Sequence, residues 1–467
     1  MTEEVVKPEF KKSYPFIFSY FYLIQGLFNG LQAIVLPIYL ITVVDEIDLA
    51  FILIILSVGV LPWALKFLIG MFNDKYGSEK FGRRKPWILI FGIWGGIWFI
   101  IAGILIPQNL DLGTTKLIML VAFLALMWNI GWAIADTALD GLILDVTPKD
   151  ELGKVQGYTW SMNLFGSSAI GIIMGALVLI FNAFTFFFVL EGILLFSACI
   201  LPFFVKESEV PKDVKVWKEF KDIISKKKNW KLFILSILDN IPYAVVTFAY
   251  GLLVIIYWPE PLVEVDVTSI SLAAESIDLF MIFAMFGAIA GFGVIAGCLI
   301  TGRISDKSRR KGVYFAHIIY VPFALISVLF CGAFFGGMVA IVLAIIMSII
   351  LGMGEGALTT SFQAVRGDLA RQYPNLNSTY YALVISCLNA GHMVGYAVAG
   401  VLLIILATFI TEFWLIFFII ILIMMVFQIS ALILFMTIDP EEYEFEKQSK
   451  KKQATTDKEK LIKNING

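Results

Sequence analysis

Apolar runs of roughly 20 residues recur along almost the whole chain, and nearly all of the charge collects in short clusters between them. A helix of that length just crosses the hydrocarbon core of a bilayer. Hydropathy places about twelve such spans, at roughly 15–42, 51–72, 87–107, 117–145, 154–181, 184–205, 230–258, 276–302, 313–336, 338–365, 377–408 and 411–438. The composition agrees: 59% of the 467 residues are hydrophobic and only 15% are charged, where a soluble domain carries about a quarter.

The location of the charges is more informative than their sum. A formal net charge of −2 gives no global field that would draw nucleic acid. Lys and Arg fill the N-terminal segment (Lys7, Lys11, Lys12), the connections 73–86, 146–153, 206–229, 303–312 and 366–376, and the tail. The opposite loops are acidic or neutral, with Asp45, Glu46, Asp48, Asp111, Glu260, Glu264 and Asp266; Lys116 is the exception. This bias predicts a multi-pass protein of the cell membrane with both termini cytosolic, which an even span count also requires. The expected organisation is a cytosolic N-terminus (1–14), a six-helix bundle (15–205), a cytosolic linker (206–229), a second six-helix bundle (230–438) and a disordered, lysine-rich tail (439–467). In the linker, Val216, Trp217, Phe220, Ile223 and Ile224 recur at helical spacing among Lys215, Lys218, Lys221 and Lys226. That pattern predicts an amphipathic helix on the inner leaflet, in contact with lipid. The N-terminus is polar and the first apolar run is full length, so no cleavable signal is expected.

Enzyme signatures do not emerge. There is no phosphate-cradling glycine loop, nucleotide-binding domain or Ser/His/Asp set. Cys199, Cys298, Cys331 and Cys387 lie scattered in apolar runs without metal or redox spacing, and His317 and His392 are too few for a histidine metal centre. No metal and no cofactor are expected.

Two clusters punctuate the chain at matching places in its halves. The first holds Gly70, Asp74, Lys75 and Gly77, then Gly82, Arg83, Arg84, Lys85, Pro86 and Trp87. The second holds Gly302, Arg303, Asp306, Lys307, Arg309, Arg310, Lys311 and Gly312. Each puts an Asp four residues after a Gly, then a knot of basic residues, at the inner end of spans 2 and 8. Six plus six spans with this repeated cluster resemble the major facilitator superfamily over essentially the whole membrane region. The Gly-Arg-Arg-x-Pro-aromatic ending at 82–87 is similar to that of the glycoside, pentoside and hexuronide or sucrose-type sugar–cation symporters. The stretch with Asp136, Asp140, Gly141, Asp145, Pro148 and Gly153 is similar to muropeptide and acetyl-coenzyme A permeases. The chain departs from the melibiose-type pattern, which carries acidic cation-binding residues in span 2. Here span 2 has no carboxylate, and its only charge is Lys66.

An ionisable group at membrane depth is costly and needs a reason. Span 4 aligns Asn129, Trp132, Asp136 and Asp140 on one helical face, and span 1 aligns Gln25, Asn29 and Gln32. Span 7 carries Asp239, Asn240, Tyr243, Thr247 and Tyr250; span 10 carries Glu355, Thr359 and Gln363; span 11 carries Asn389 and His392. The spacing supplies the stripes, and each is either a cavity face or interhelical glue. The resemblance implies that spans 1, 4, 7 and 10 line a common cavity. The expected substrate wall is then Gln25, Asn29, Gln32, Asn129, Trp132, Tyr243, Thr247, Thr359, Gln363 and Asn389. Asp136, Asp140, Glu355 and Lys66 are the candidates for binding a coupling ion, a proton or sodium. Lys66 either snorkels or pairs with Asp136 or Asp140. For His392 a structural hydrogen bond is expected, and Asp239 sits near the cytosol. Glycine pairs four apart (Gly171/Gly175, Gly287/Gly291, Gly293/Gly297, Gly352/Gly356, Gly391/Gly395) allow close helix contact.

The resemblance implies a monomeric secondary transporter of a small organic solute, sugar or glycoside, working by alternating access with its site near the midplane. Gly70, Asp74, Arg83, Arg84, Gly302, Asp306, Arg309 and Arg310 would form gates that close in one state and open in the other. The rival expectations are a drug or metabolite exporter of the same fold and a non-transporting receptor or scaffold.

Overall fold

A computed structural model describes residues 10–36, 39–40, 61–78, 80–207, 215–243, 245–257 and 277–444. The acidic loop residues Asp45, Glu46, Asp48, Glu260, Glu264 and Asp266, together with Lys7 and the tail from 445, lie outside the described residues. Among the described residues the regular structure is helical throughout. Eight of these helices are long and apolar enough to cross a membrane.

Span 1 is the helix Tyr14–Gly30, which continues through a π-turn at Leu31–Val35. The described part of span 2 breaks at Leu65 and resumes as Lys66–Lys75. Span 3 is Lys85–Gln108, with Pro86 in its first turn, where a missing N–H is tolerated. Span 4 is Thr114–Val146, so Lys116 lies on a helix rather than in a loop. Spans 5 and 6 are Leu152–Phe165 with Gly171–Phe181, and Phe184–Ile200. The linker helix is Val216–Ser225; it buries Val216 and Ile223, stacks Phe220 on Phe67 of span 2, and leaves Trp217 exposed. Span 7 is Lys227–Asn240 with Val245–Ile256, span 8 is Ile277–Lys307 and span 9 is Arg309–Ser327. Spans 10, 11 and 12 are Gly337–Ala370, Asn377–Ala407 and Phe413–Met436.

Glycine decides how closely the second-half helices pack. A Cβ at Gly293 or Gly297 would lie 2.0 Å from the Ile349 or Met353 carbonyl oxygen, and one at Gly352 or Gly356 would lie 2.1 or 2.2 Å from that of Ala290 or Val294. Spans 8 and 10 therefore interlock backbone to backbone, which no side chain permits. Gly391 and Gly395 bring span 11 onto span 7 in the same manner. With so little apolar driving force between helices in lipid, this close contact supplies much of the association through dispersion. It also holds the polar faces of spans 7, 10 and 11 around a common space.

Candidate functional site

That space is a cavity of about 610 Å³, walled by helices from both halves of the sequence. On the first-half wall, Lys66 forms a salt bridge with Asp136 and lies 3.2 Å from Asp140. Gln25 donates to the other Asp136 oxygen at 2.7 Å, and Tyr22 to the other Asp140 oxygen at 2.6 Å. Asn163 in turn fixes the Gln25 amide at 3.0 Å. All four carboxylate oxygens thus have donors, and the ammonium lies 5.4 Å from the Trp63 ring centre. Burial makes this pairing obligatory, since an unpaired ion at this depth is several kcal/mol less favourable. With two carboxylates facing one ammonium, one carboxylate can take up a proton while the other keeps the salt bridge.

The second-half wall is less complete. Glu355 accepts one hydrogen bond, from Thr247 at 2.8 Å. Asp239 accepts from Arg366 at 2.9 Å and from Gln428 at 2.9 Å. Gln428 also lies 3.1 Å from His317 Nε2, whose other ring nitrogen is 2.7 Å from the Val313 carbonyl. Tyr243 and His392 pack edge to face at 5.4 Å and complete a partly aromatic surface.

At the end carrying the basic clusters the two halves are bonded together. Asp74 of span 2 is fully enclosed. One of its oxygens meets Arg83 and, at 2.8 Å, Arg84; the other accepts the Thr379 backbone N–H at 2.7 Å and hydroxyl at 2.6 Å. A carboxylate at the first turn of span 11 also compensates that helix's dipole. Burial alone would push the Asp74 carboxyl up, but the Arg84 and Arg83 guanidiniums and Thr379 outweigh it and hold it below the usual carboxylate range. Arg84 continues to Asp145 at 3.1 Å and to Asn377 at 2.7 Å. Gly70 allows the contact, because a Cβ there would lie 2.8 Å from Thr379 Cα.

The second cluster repeats the design with different completeness. Asp306 of span 8 accepts the Lys154 N–H at the start of span 5 at 3.0 Å, with Arg309 at 3.5 Å. Arg309 instead engages Asp368 at 2.8 Å and crosses to the Lys149 carbonyl at 2.7 Å. Gly302 and Gly153 let the backbones touch. The segments just past spans 6 and 12 hold the clusters in the same way, and the start of the tail, expected to be disordered from 439, instead forms the short helix Pro440–Tyr443 and buries Glu444. Glu207 accepts the N–H groups of Arg83, Arg84 and Lys85 at 2.6 to 3.0 Å, and Glu444 those of Arg309 and Arg310 at 3.1 and 3.0 Å.

A family model described as Major Facilitator Superfamily matches residues 18–384. The chain belongs to the major facilitator superfamily. It is a multi-pass membrane protein of a family of transporters that carry small-molecule solutes. It is 29% identical over 280 residues to "Putative transporter AmpG 1" of Rickettsia conorii, covering 57% of this chain and 64% of that protein. It is 27% identical over 268 residues to a "Multi-drug resistance efflux pump PmrA homolog" of Lactococcus lactis, covering 56% and 60%. The chain thus matches less than two thirds of the length of these curated relatives. The solved structure of the superfamily's proton:xylose symporter XylE superposes with a TM-score of 0.62 at 14% identity, over 92% of this chain and 97% of that one. At that identity the likeness concerns the fold.

On this major facilitator framework, Gln25, Asn29, Gln32, Tyr243, Thr359, Gln363 and Asn389 face the cavity, as do Lys66, Asp136, Asp140 and Glu355. Three expected wall residues do not. Trp132 is fully buried and stacks on Phe21 at 4.9 Å, in the packing between spans 1 and 4. Asn129 lies one layer back, bonded to Gln32 at 3.0 Å and to Trp63 at 2.7 Å. Thr247 sits behind Glu355 and reaches the cavity only through it. Lys66 does not choose between Asp136 and Asp140; it binds both. Arg310 turns away from Asp306 to the Tyr314 hydroxyl at 3.0 Å. The hydrogen bond expected of His392 is not formed among the described residues. Arg366, assigned to a loop by its charge, is a fully buried residue of span 10, and it converts Asp239 from an interfacial carboxylate into a buried ion pair. Sequence reasoning passed over it because the hydropathy window ended at 365, one residue before it. The unpaired Asp239 one span pair away was the available signal that a cation had to lie at its depth.

Proposed function

We propose that this chain is a secondary active transporter of a small organic solute, of sugar or glycoside type, driven by protons and working by alternating access in the cell membrane. Residues 15–205 and 230–438 are the two rocking halves, 206–229 is the tether, and both termini are cytosolic. The observation that carries this reading is a cavity to which both halves contribute polar and charged side chains, while interhalf bonds seal the cluster end beneath it. Rocking would break the Asp74–Thr379 and Asp306–Lys154 contacts and open the same cavity to the other side. Glu355, with one hydrogen bond, and the Lys66, Asp136 and Asp140 triad are the groups whose protonation would be tied to that movement. A proton is favoured over sodium because span 2 offers an ammonium where the melibiose-type scheme needs carboxylates. The protein acts as a monomer, with lipid as its remaining partner.

Uptake into proteoliposomes under an imposed pH gradient tests this reading. Accumulation of a sugar that collapses with a protonophore, and is lost in Asp136→Asn and Glu355→Gln, is expected. Gradient-driven uptake that survives both substitutions would remove proton coupling from these sites. A second reading, export of an amphipathic compound, draws on the aromatic cavity surface and on the name of the Lactococcus relative. Proton-driven drug extrusion without any sugar flux would favour it.

A further inference from the structure

The two cations of the cavity are used differently. Lys66 is consumed by two carboxylates. Arg366 is not: Nε donates to Ser236 at 3.1 Å and Nη2 to Asp239 at 2.9 Å, but Nη1 has no partner among the described residues. Gln363 lies three residues earlier, on the same face of span 10. Its carbonyl oxygen accepts from the Tyr381 hydroxyl at 2.8 Å, which orients the amide and leaves Nε2 likewise without a partner. Both side chains are fully buried and both line the cavity.

We propose that Arg366 and Gln363 form an oxyanion subsite at the gate end of the cavity, which receives a carboxylate or phosphate group of the transported solute. This deepens the transport reading above and rests on it. The chemistry follows from the donors. A buried N–H left open is unfavourable in the empty protein, and the cost is recovered when an acceptor arrives. A guanidinium whose Nε and Nη2 are held by Ser236 and Asp239 leaves Nη1 as a fixed, charged donor suited to a planar or tetrahedral oxyanion. An amide N–H one turn away supplies a further donor to the same group. Asp239 does not fill this place, because its two oxygens are already taken by Arg366 Nη2 and Gln428. Glu355 lies eleven residues earlier on the same helix, about 16 Å along its axis. The uncharged remainder of the solute would extend in that direction, away from the anchored group.

The test uses the purified full chain in nanodiscs, with thermal stability read at constant ionic strength against chloride. Acetate, inorganic phosphate, glucose, glucuronate and glucose 6-phosphate are titrated separately. Stabilisation by at least one oxyanion is expected. Acidic sugar should bind about tenfold or more tightly than glucose. Glucuronate against the phosphate ester identifies which oxyanion the site prefers. Arg366→Lys keeps a charge for Asp239 but removes the free Nη1 donor and should erase the preference. Gln363→Leu leaves the ion pair untouched and should weaken the preference several-fold, so the test survives poor folding of the arginine variant. Glucose binding with no oxyanion effect would overturn the subsite while leaving sugar transport intact. Oxyanion stabilisation that depends on Arg366, without any sugar binding, would support the subsite and defeat the sugar reading. Stabilisation by none of the anions, or a preference unchanged in both variants, overturns the proposal.

Discussion

The first-half wall of the cavity closes its hydrogen bonds on itself, and the second-half wall does not. Lys66, Asp136, Asp140, Tyr22, Gln25 and Asn163 form a chain in which each carboxylate oxygen is occupied. Opposite it, among the described residues, Glu355 accepts one hydrogen bond, His392 Nε2 has no partner, and Arg366 Nη1 has none. Satisfied networks fix a conformation, while unsatisfied donors and acceptors await one. On the proposed transport reading, the first wall sets the geometry of the cavity and the second selects what enters it. The two clusters proposed as gates show the same asymmetry. Asp74 is enclosed by two guanidiniums and Thr379, whereas Asp306 has only a longer contact to Arg309, at 3.5 Å, and one of its oxygens has no hydrogen bond among the described residues.

The comparison breaks most easily at Lys66. Lys66→Ala would leave two carboxylates facing each other in an apolar surrounding, a loss of about 3–5 kcal/mol for a broken buried pair. Thermal unfolding in detergent should reveal it as the most damaging of the substitutions considered. Adding Asp136→Asn and Asp140→Asn should restore most of the stability, because no charge is then stranded. A stable Lys66→Ala protein would mean that the first wall is not held by this triad.

The gates give the next effect. Asp74→Asn removes charge-assisted bonds of roughly 1.5–3 kcal/mol each. It should raise the labelling of cysteines placed at the cluster end of span 11 more than Asp306→Asn does at span 5. Equal labelling would remove the asymmetry. The pH dependence follows from the sign of the shift at Asp74. A carboxyl held below its ordinary value stabilises the closed gate fully above that ordinary value, about 3.9. The contribution is lost only as pH falls through the still lower value in the closed state. The Asp74 contact itself should therefore add no pH dependence to the labelling between about pH 5 and 8, and pH-dependent transport in that range must arise at other groups.

The frame of this comparison was legible in the chain. The repeated Gly/Asp/Arg clusters marked matching places in the two halves, the spacing of Asp136 and Asp140 put them on one helical face with Lys66 at comparable depth, and the family resemblance turned that face toward a cavity. What was not legible depends on neighbours. Trp132 shares the stripe of Asp136, yet it faces Phe21. Trp63 and Gln32 cover Asn129 at that level, so the cavity receives only the lower end of the stripe. A helix between two others has more than one buried face, and periodicity cannot say which face is wet. Arg366 was lost for the opposite reason, because a charge at the end of an apolar run reads as the start of a loop. Glu207 and Glu444 carry no distinguishing pattern; their role appears only when the starts of spans 3 and 9 fold back beside them.

The smallest expected effect on stability separates the walls most finely. Glu355→Gln keeps an oxygen to accept from Thr247 and changes the volume little, so stability should move by less than about 1 kcal/mol. Its charge is gone, however, and with it the capacity to carry a proton. Solute exchange without a gradient should persist while uptake driven by a pH gradient is lost. Asp136→Asn, embedded in the saturated network, should disturb both stability and exchange, because Lys66 loses its closest partner. Measuring exchange and gradient-driven uptake side by side in the two variants therefore distinguishes a wall that binds the proton from a wall that holds the cavity in shape. If Glu355→Gln abolishes exchange as well, the two walls are not divided in this way, and the carboxyl contacts the solute directly.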